Sequence, residues 1–300
     1  MITGIGAVSL SFEEIISGFT PTSEFYFTIH EYRLPRAVLA ILVGGMMALS
    51  GSLVQGVIRN PLASPDVLGV SQGAGLAAVI LMTLFPSVSI FWLPWAALVG
   101  GFIAALLLWA LCGANSSAIK LAITGVALAA LYSSGIDFLM LTRPLEINNA
   151  LLWLTGSLWG RSWDQVFTLL PWLILLPFAF GLAKRINLLS LGDEVAISLG
   201  TSISMTRLFA LAIAVGLTAS CVAICGPIGF LGLVAPHLAR RLVGGRHQML
   251  LPYSMLVGMV ILLLADLLAR TINPPIELPA GIMTAVIGAP YFLWLLLKTK

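Results

Sequence analysis

Charged side chains are scarce in this chain: 9% of its 300 residues are Asp, Glu, Lys or Arg, against 59% that are apolar. Soluble domains carry about 25% charged residues, so a mean hydropathy of +1.05 excludes a water-soluble fold. The phosphate-cradling pattern GxxxxGK[ST] is absent, and no GK dipeptide occurs at all, which excludes nucleotide binding through a P-loop. HExxH is absent too. Only three cysteines occur, Cys112, Cys221 and Cys225. The last two sit four apart on one helix face, and without a histidine or further thiol beside them they read as small hydrophobes. Catalysis and metal binding in this polypeptide are therefore not expected.

What is abundant is apolar sequence in blocks of about 20 residues, the length that crosses roughly 30 Å of hydrocarbon. The blocks place spans near 37–57, 67–85, 90–112, 118–141, 163–183, 205–225, 228–243, 250–269 and 279–297. The seventh is short and carries Gly226, Gly229 and Gly232, so it is expected to be broken or re-entrant. INNALLWLTGSLW, residues 147–159, is too short to span and has interfacial tryptophans, so it reads as a half-buried surface helix. The opening MITGIGAVSL has neither the basic start nor the cleavage site of a signal peptide. It reads as the tail of a first helix that is mostly missing, leaving nine full spans.

Lys and Arg set the orientation. With the C-terminus inside, ten basic residues face inward, among them Arg59, Lys120, Arg207, Arg240 and Lys300. Five face outward: Arg33, Arg36, Arg143, Arg161 and Arg270. That asymmetry satisfies the positive-inside rule, and the net charge of +3 is a topology signal with no bearing on nucleic acid. No linker divides the chain, so residues 1–300 read as one membrane domain. Arg33-Leu34 and Arg207-Leu208 open apolar spans that start on opposite sides, a faint echo of inverted repeats. Gly44 with Ala48, Gly69 with Gly73, and Gly281 with Ala285 have the spacing that lets helix backbones approach closely in lipid.

Few residues are candidates for function. Ion-coupled carriers bury carboxylates near the midplane; the in-span acids here are Asp137 and Asp266, both near the outer surface, and Asp266 has Arg270 one turn on. Gln55 faces either a neighbouring helix or a pathway. The three histidines, His30, His237 and His247, lie at span ends or in loops, where solvated or interfacial roles are expected. Residues 187–205 form an inner segment in which a short helix starts at Asp193 and Glu194, acids that complement the positive end of its dipole. It is either an ordinary loop or a docking helix for a motor. At the outer face Arg33 and Arg36 flank Leu34-Pro35, with Arg270 on the same side. Outer cations run against the positive-inside trend, and they either anchor the chain to the membrane surface or meet an acidic partner.

Several long motifs then converge. RLPRAVLAILVGGMMALSGSLVQGVIRNPLASPDVLGVSQG, GDEVAISLG, GPIGFLGLVAPHLARRLVGGRHQMLLP and ADLLARTINPPIELPAGIMTAVIGAPYFLWLLLK follow in order along nearly the whole chain. Together they resemble the permease subunits of ABC importers for iron chelates and vitamin B12. NNALLWLTGSLWGRSW and NPPIELP look most like a ferric citrate permease subunit. The resemblance implies an all-α, ten-helix type II importer permease in a bacterial inner membrane. Such a subunit pairs with a second, identical or different permease. Two cytoplasmic ATPases sit below it, and a periplasmic binding protein delivers a ferric chelate from above. No cofactor and no metal site of its own is implied. By the same resemblance Arg33, Arg36 and Arg270 dock the binding protein. Gly192, Asp193, Glu194, Ala196, Leu199 and Gly200 seat in the ATPase, and 118–141 and 279–297 line the pathway. The alternative is an ion-coupled secondary transporter of a small metal chelate.

Overall fold

The computed structural model describes residues 11–113, 116–143, 147–274 and 276–298. The opening MITGIGAVSL and Lys300 lie outside the described residues. A capped turn, α1 (Phe12–Ser17), is followed by a π-helical stretch, Phe27–Arg33, that continues without a break into α2 (Leu34–Ile58). Then come α3 (Val70–Leu84), α4 (Leu93–Cys112), α5 (Ala118–Thr142) and the short α6 (Ile147–Leu154). α7 (Trp163–Leu169) and α8 (Leu175–Gly181) are joined by a 3-10 turn at Leu170–Ile174. α9 (Ala183–Ser190) and α10 (Asp193–Ser198) precede the long α11 (Ile203–Cys225), and α12 (Leu231–Val243), α13 (His247–Thr271) and α14 (Ala280–Lys298) complete the bundle.

Among the described residues six helical stretches are long and apolar enough to cross a membrane. They include the expected spans at 37–57, 90–112, 118–141, 163–183, 205–225 and 250–269. The expected span at 67–85 is different. A 3-10 turn, Pro65–Leu68, ends at Gly69 with φ 77°, and only 15 helical residues follow. Proline fixes the turn and glycine supplies the left-handed residue. The expected break in the seventh span is present: irregular backbone runs from Gly226 (φ 74°) to Phe230 (φ 65°) before the 13-residue α12. Both half-length helices thus follow a long helix and an irregular segment. Their long partners, α2 and α11, run in opposite directions.

α2 is the axial helix, with 78% of its most apolar window buried, against 28% for α5. Lipid is as apolar as a leucine side chain, so helices here associate through close backbone packing and not through hydrophobicity. Gly44 and Ala48 of α2 meet Gly258 of α13: a Cβ placed on Gly258 would lie 2.3 Å from the Gly44 carbonyl oxygen and 2.5 Å from the Ala48 Cβ. Gly51 meets Gly232 of α12, and Gly73 of α3 meets Gly100 and Ala104 of α4. Gln55 faces a helix neighbour, its Nε2 donating to the Leu233 carbonyl at 3.3 Å. Ser50 adds polar contact with α11 through the Thr218 hydroxyl at 2.7 Å and the Ala214 carbonyl at 2.8 Å. Cys221 and Cys225 are free thiols buried in the core.

Candidate functional site

The two irregular segments leave a cavity of about 1070 Å³. Asp66, Ser71 and Gln72 line it from the start of α3, Ser133 and Asp137 from α5, and Gly281, Ala285 and Val286 from α14. The helices expected to line a pathway, 118–141 and 279–297, do border it, joined by the α3 start and the 227–233 stretch. Asp66 is an acid that the span count passed over, because it sits in a proline-punctuated turn rather than an apolar block. The Ser71 hydroxyl donates to it at 2.6 Å, and it stands near the positive end of α3, where a carboxylate is favoured. Residues 69–73 read GVSQG, formally a nucleophile-elbow pattern. The segment follows a 3-10 turn and not a strand, and the Ser71 hydroxyl goes to Asp66 and not to a histidine, so the setting of that motif is not met among the described residues. Phe230 holds a left-handed conformation that costs an L-residue about 1–2 kcal/mol. Its Cβ sits where any side chain at Gly288 of α14 would clash, at 2.6 Å.

At one end of the bundle, the rim, the structure brings the three expected arginines together. The π-helical stretch ends on Arg33, and such stretches occur frequently at functional sites. Arg36 is 2% exposed. Its Nε donates to Asp266 at 2.8 Å and its Nη1 to Glu277 at 2.5 Å. Arg270 reaches the other Asp266 oxygen at 3.6 Å, the i,i+4 pair expected from the spacing. Arg33 and Arg270 are themselves only 6% and 4% exposed. Among the described residues Arg36, Asp266, Arg270 and Glu277 thus form one buried ion-pair network. Glu277, which closes the cluster, had no signal in the sequence beyond its place in NPPIELP.

At the opposite end, the base, α10 is bracketed by Gly192 (φ 115°) and Gly200 (φ 78°), conformations that favour glycine. Ala196 is fully buried and anchors the helix. Glu194, Val195, Ile197 and Leu199 project outward and are exposed. The Asp193 side chain is 43% exposed but is tied to the bundle. It accepts from Arg207 Nη2 through both oxygens, at 3.0 and 3.1 Å, and pairs with Arg59. Burial, and then the neighbouring Arg207 charge, pulls the Arg59 guanidinium below its ordinary value, though arginine stays protonated in proteins. Behind α10, Asn187 of α9 accepts from the His247 backbone amide at 2.9 Å and contacts the imidazole Nδ1 at 2.8 Å. His247 is thus a buried strut and not the solvated histidine expected. His237 packs against Tyr291, and His30 stacks on Tyr26.

Residues 1–298 match the model of the FecCD transport family. The chain is 48% identical over 297 residues to the Fe(3+) dicitrate transport system permease protein FecD of Escherichia coli (strain K12), covering 99% of this chain and 93% of that protein. It is 49% identical over 296 residues to the Fe(3+)-citrate import system permease protein YfmE of Bacillus subtilis (strain 168), covering 98% and 89%. Among solved structures, a metal-chelate type ABC transporter in an inward-facing conformation matches with a TM-score of 0.87 at 34% identity, over 99% of this chain and 93% of that one.

Proposed function

The chain belongs to the FecCD transport family, a family of ABC importer permeases, and from that premise we propose that its cargo is a ferric citrate complex. The observation that carries this reading is near-50% identity, end to end, to two proteins named as ferric citrate permeases in distantly related bacteria. The test is complementation. In a bacterium stripped of its own ferric citrate permease, this chain with its partner subunits should restore labelled iron uptake from citrate. Uptake from a hydroxamate chelate alone would assign a different cargo.

The subunit is a gate without an engine of its own. We assign the rim to the periplasm and the base to the cytoplasm, with the C-terminus inside and the membrane the bacterial inner one. A second permease faces the cavity across the pathway. Two ATPases sit below the permease pair, and one of them seats the α10 of this chain, through the exposed Glu194, Val195, Ile197 and Leu199 within the 187–205 segment. A loaded binding protein docks on Arg33, Arg36 and Arg270. ATP then drives alternation between outward- and inward-open states, which requires that the partners bind the two states with different affinity.

Ion coupling is not the reading, though for a different reason than sequence alone suggests. Asp66 lines the cavity, so a shortage of pathway carboxylates is no longer the argument against it. The family is. By this reading the three buried arginines supply the positive charge that steers an acidic partner to the rim. Arg33→Gln combined with Arg270→Gln is therefore expected to weaken binding-protein docking roughly a hundredfold, as loss of buried charge pairing does. The ATPases should still copurify. Unchanged docking in that folded variant removes the rim from the interface.

A further inference from the structure

We propose that Asp193 is not part of the ATPase-facing surface but is a joint inside the permease, the point where movement of α10 is handed to α2 and α11. This rests on the importer reading above and adds a positioning residue to it. The one carboxylate ties α10 to the ends of two helices that already pack on each other. Arg59 is the residue that ends α2, Arg207 lies in the second turn of α11, and Arg207 Nη1 donates on to the Ser116 carbonyl in the α4–α5 connection at 3.1 Å. α2 and α11 are the two most buried spans, 78% each. A pull on α10 through Asp193 thus reaches the axis of the bundle and not its lipid-facing edge.

Arg59 gives an independent reason. It caps α2 in the left-handed conformation, φ 57°, a position that glycine fills in many helices because a side chain there costs energy. An arginine at that cost implies that its side chain is needed, and its partner is Asp193. Without the carboxylate, two guanidiniums would face each other with nothing between them. The joint is also placed to transmit rather than to support. Asp193 and Arg59 side chains are 43% and 30% exposed, and ion pairs this open add little to stability. Removing the charge should spare the fold.

The experiment uses the whole complex in proteoliposomes, with iron import and ATP hydrolysis measured on the same preparation. The wild-type complex must first import with ATP; failure at that step is failure of the importer reading and not of the joint. Asp193→Asn, Arg59→Gln and Arg207→Gln are each expected to lower iron moved per ATP hydrolysed about tenfold, the size of an ordinary coupling between linked sites. ATPase copurification and hydrolysis rate should stay near wild type, as should thermal unfolding of the Asp193→Asn and Arg59→Gln variants. Asp193→Asn with Arg207→Gln should be no worse than the worse single change, because residues acting through one contact are not additive. Unchanged iron per ATP in the Asp193→Asn and Arg207→Gln variants overturns the joint. So does loss of ATPase copurification in Asp193→Asn alone, which would place the carboxylate in the subunit interface.

Discussion

Gly51→Ala should leave no stably folded protein. A Cβ at that position would lie 1.8 Å from the Gly232 carbonyl oxygen, 2.5 Å from its carbon and 2.7 Å from its Cα. These are backbone atoms, so no rotamer change relieves the contact and α12 must move away from α2. That shift would separate the helix that carries Gln55 from the Leu233 carbonyl it donates to. It would also open the packing that, in lipid, is the main source of association. Overpacking typically costs 1–3 kcal/mol, and with backbone on both sides the cost here should reach about 3 kcal/mol or more. Gly181→Ala is the control. Nothing lies within 4 Å of a Cβ there, and alanine is the better helix former by about 1 kcal/mol. Detergent-resistant accumulation and thermal unfolding of both variants check the pair. An unaffected Gly51→Ala variant would mean that α2 and α12 do not pack as described.

Arg36→Met is expected to be almost as damaging. It keeps an unbranched apolar stem and removes the guanidinium, leaving Asp266 and Glu277, 1% and 14% exposed, without their main partner. Breaking a buried ion pair from one side costs about 3–5 kcal/mol because the remaining charge has lost its water and its counter-charge. Replacing the whole group is far milder. Arg36→Met combined with Asp266→Asn and Glu277→Gln should therefore recover most of the thermal stability lost by the single change. If the triple variant is as unstable as the single one, packing and not charge explains the effect. Recovered stability without recovered docking would separate the structural role of Arg36 from its proposed role at the interface.

How much of this was legible beforehand depends on the interaction involved. Block length and small-residue spacing follow directly from the thickness of hydrocarbon and the need for close helix approach. The long spans and the Gly44–Ala48 contact could therefore be read from residues in line. The break after Cys225 was also legible, since a short block that opens on glycines disfavours a continuous helix. The proline-punctuated turn before α3 was legible too; its length was not, because Val67 and Leu68 read as the start of the span although they belong to the 3-10 turn.

Long-range electrostatics escaped altogether. Arg59 and Arg207 counted only as inward topology charges, and Asp193 as a helix-dipole acid. Nothing in one sequence brings residues 59, 193 and 207 to a single point. Arg36 and Glu277 are 241 positions apart, and only the fold makes them neighbours. His247 misled for a related reason. A histidine at a span end is ordinarily wet, but here α9 folds back over it.

The most direct measurement is iron accumulation in proteoliposomes that contain this chain and its partner permease, with the ATPases either present or left out. With ATPases, ATP and loaded binding protein, the vesicles should concentrate the ferric chelate against its gradient. Without the ATPases they should concentrate none, whatever ion gradient is imposed. Uphill accumulation by the permeases alone, driven by a proton or sodium gradient, would contradict the account at its root.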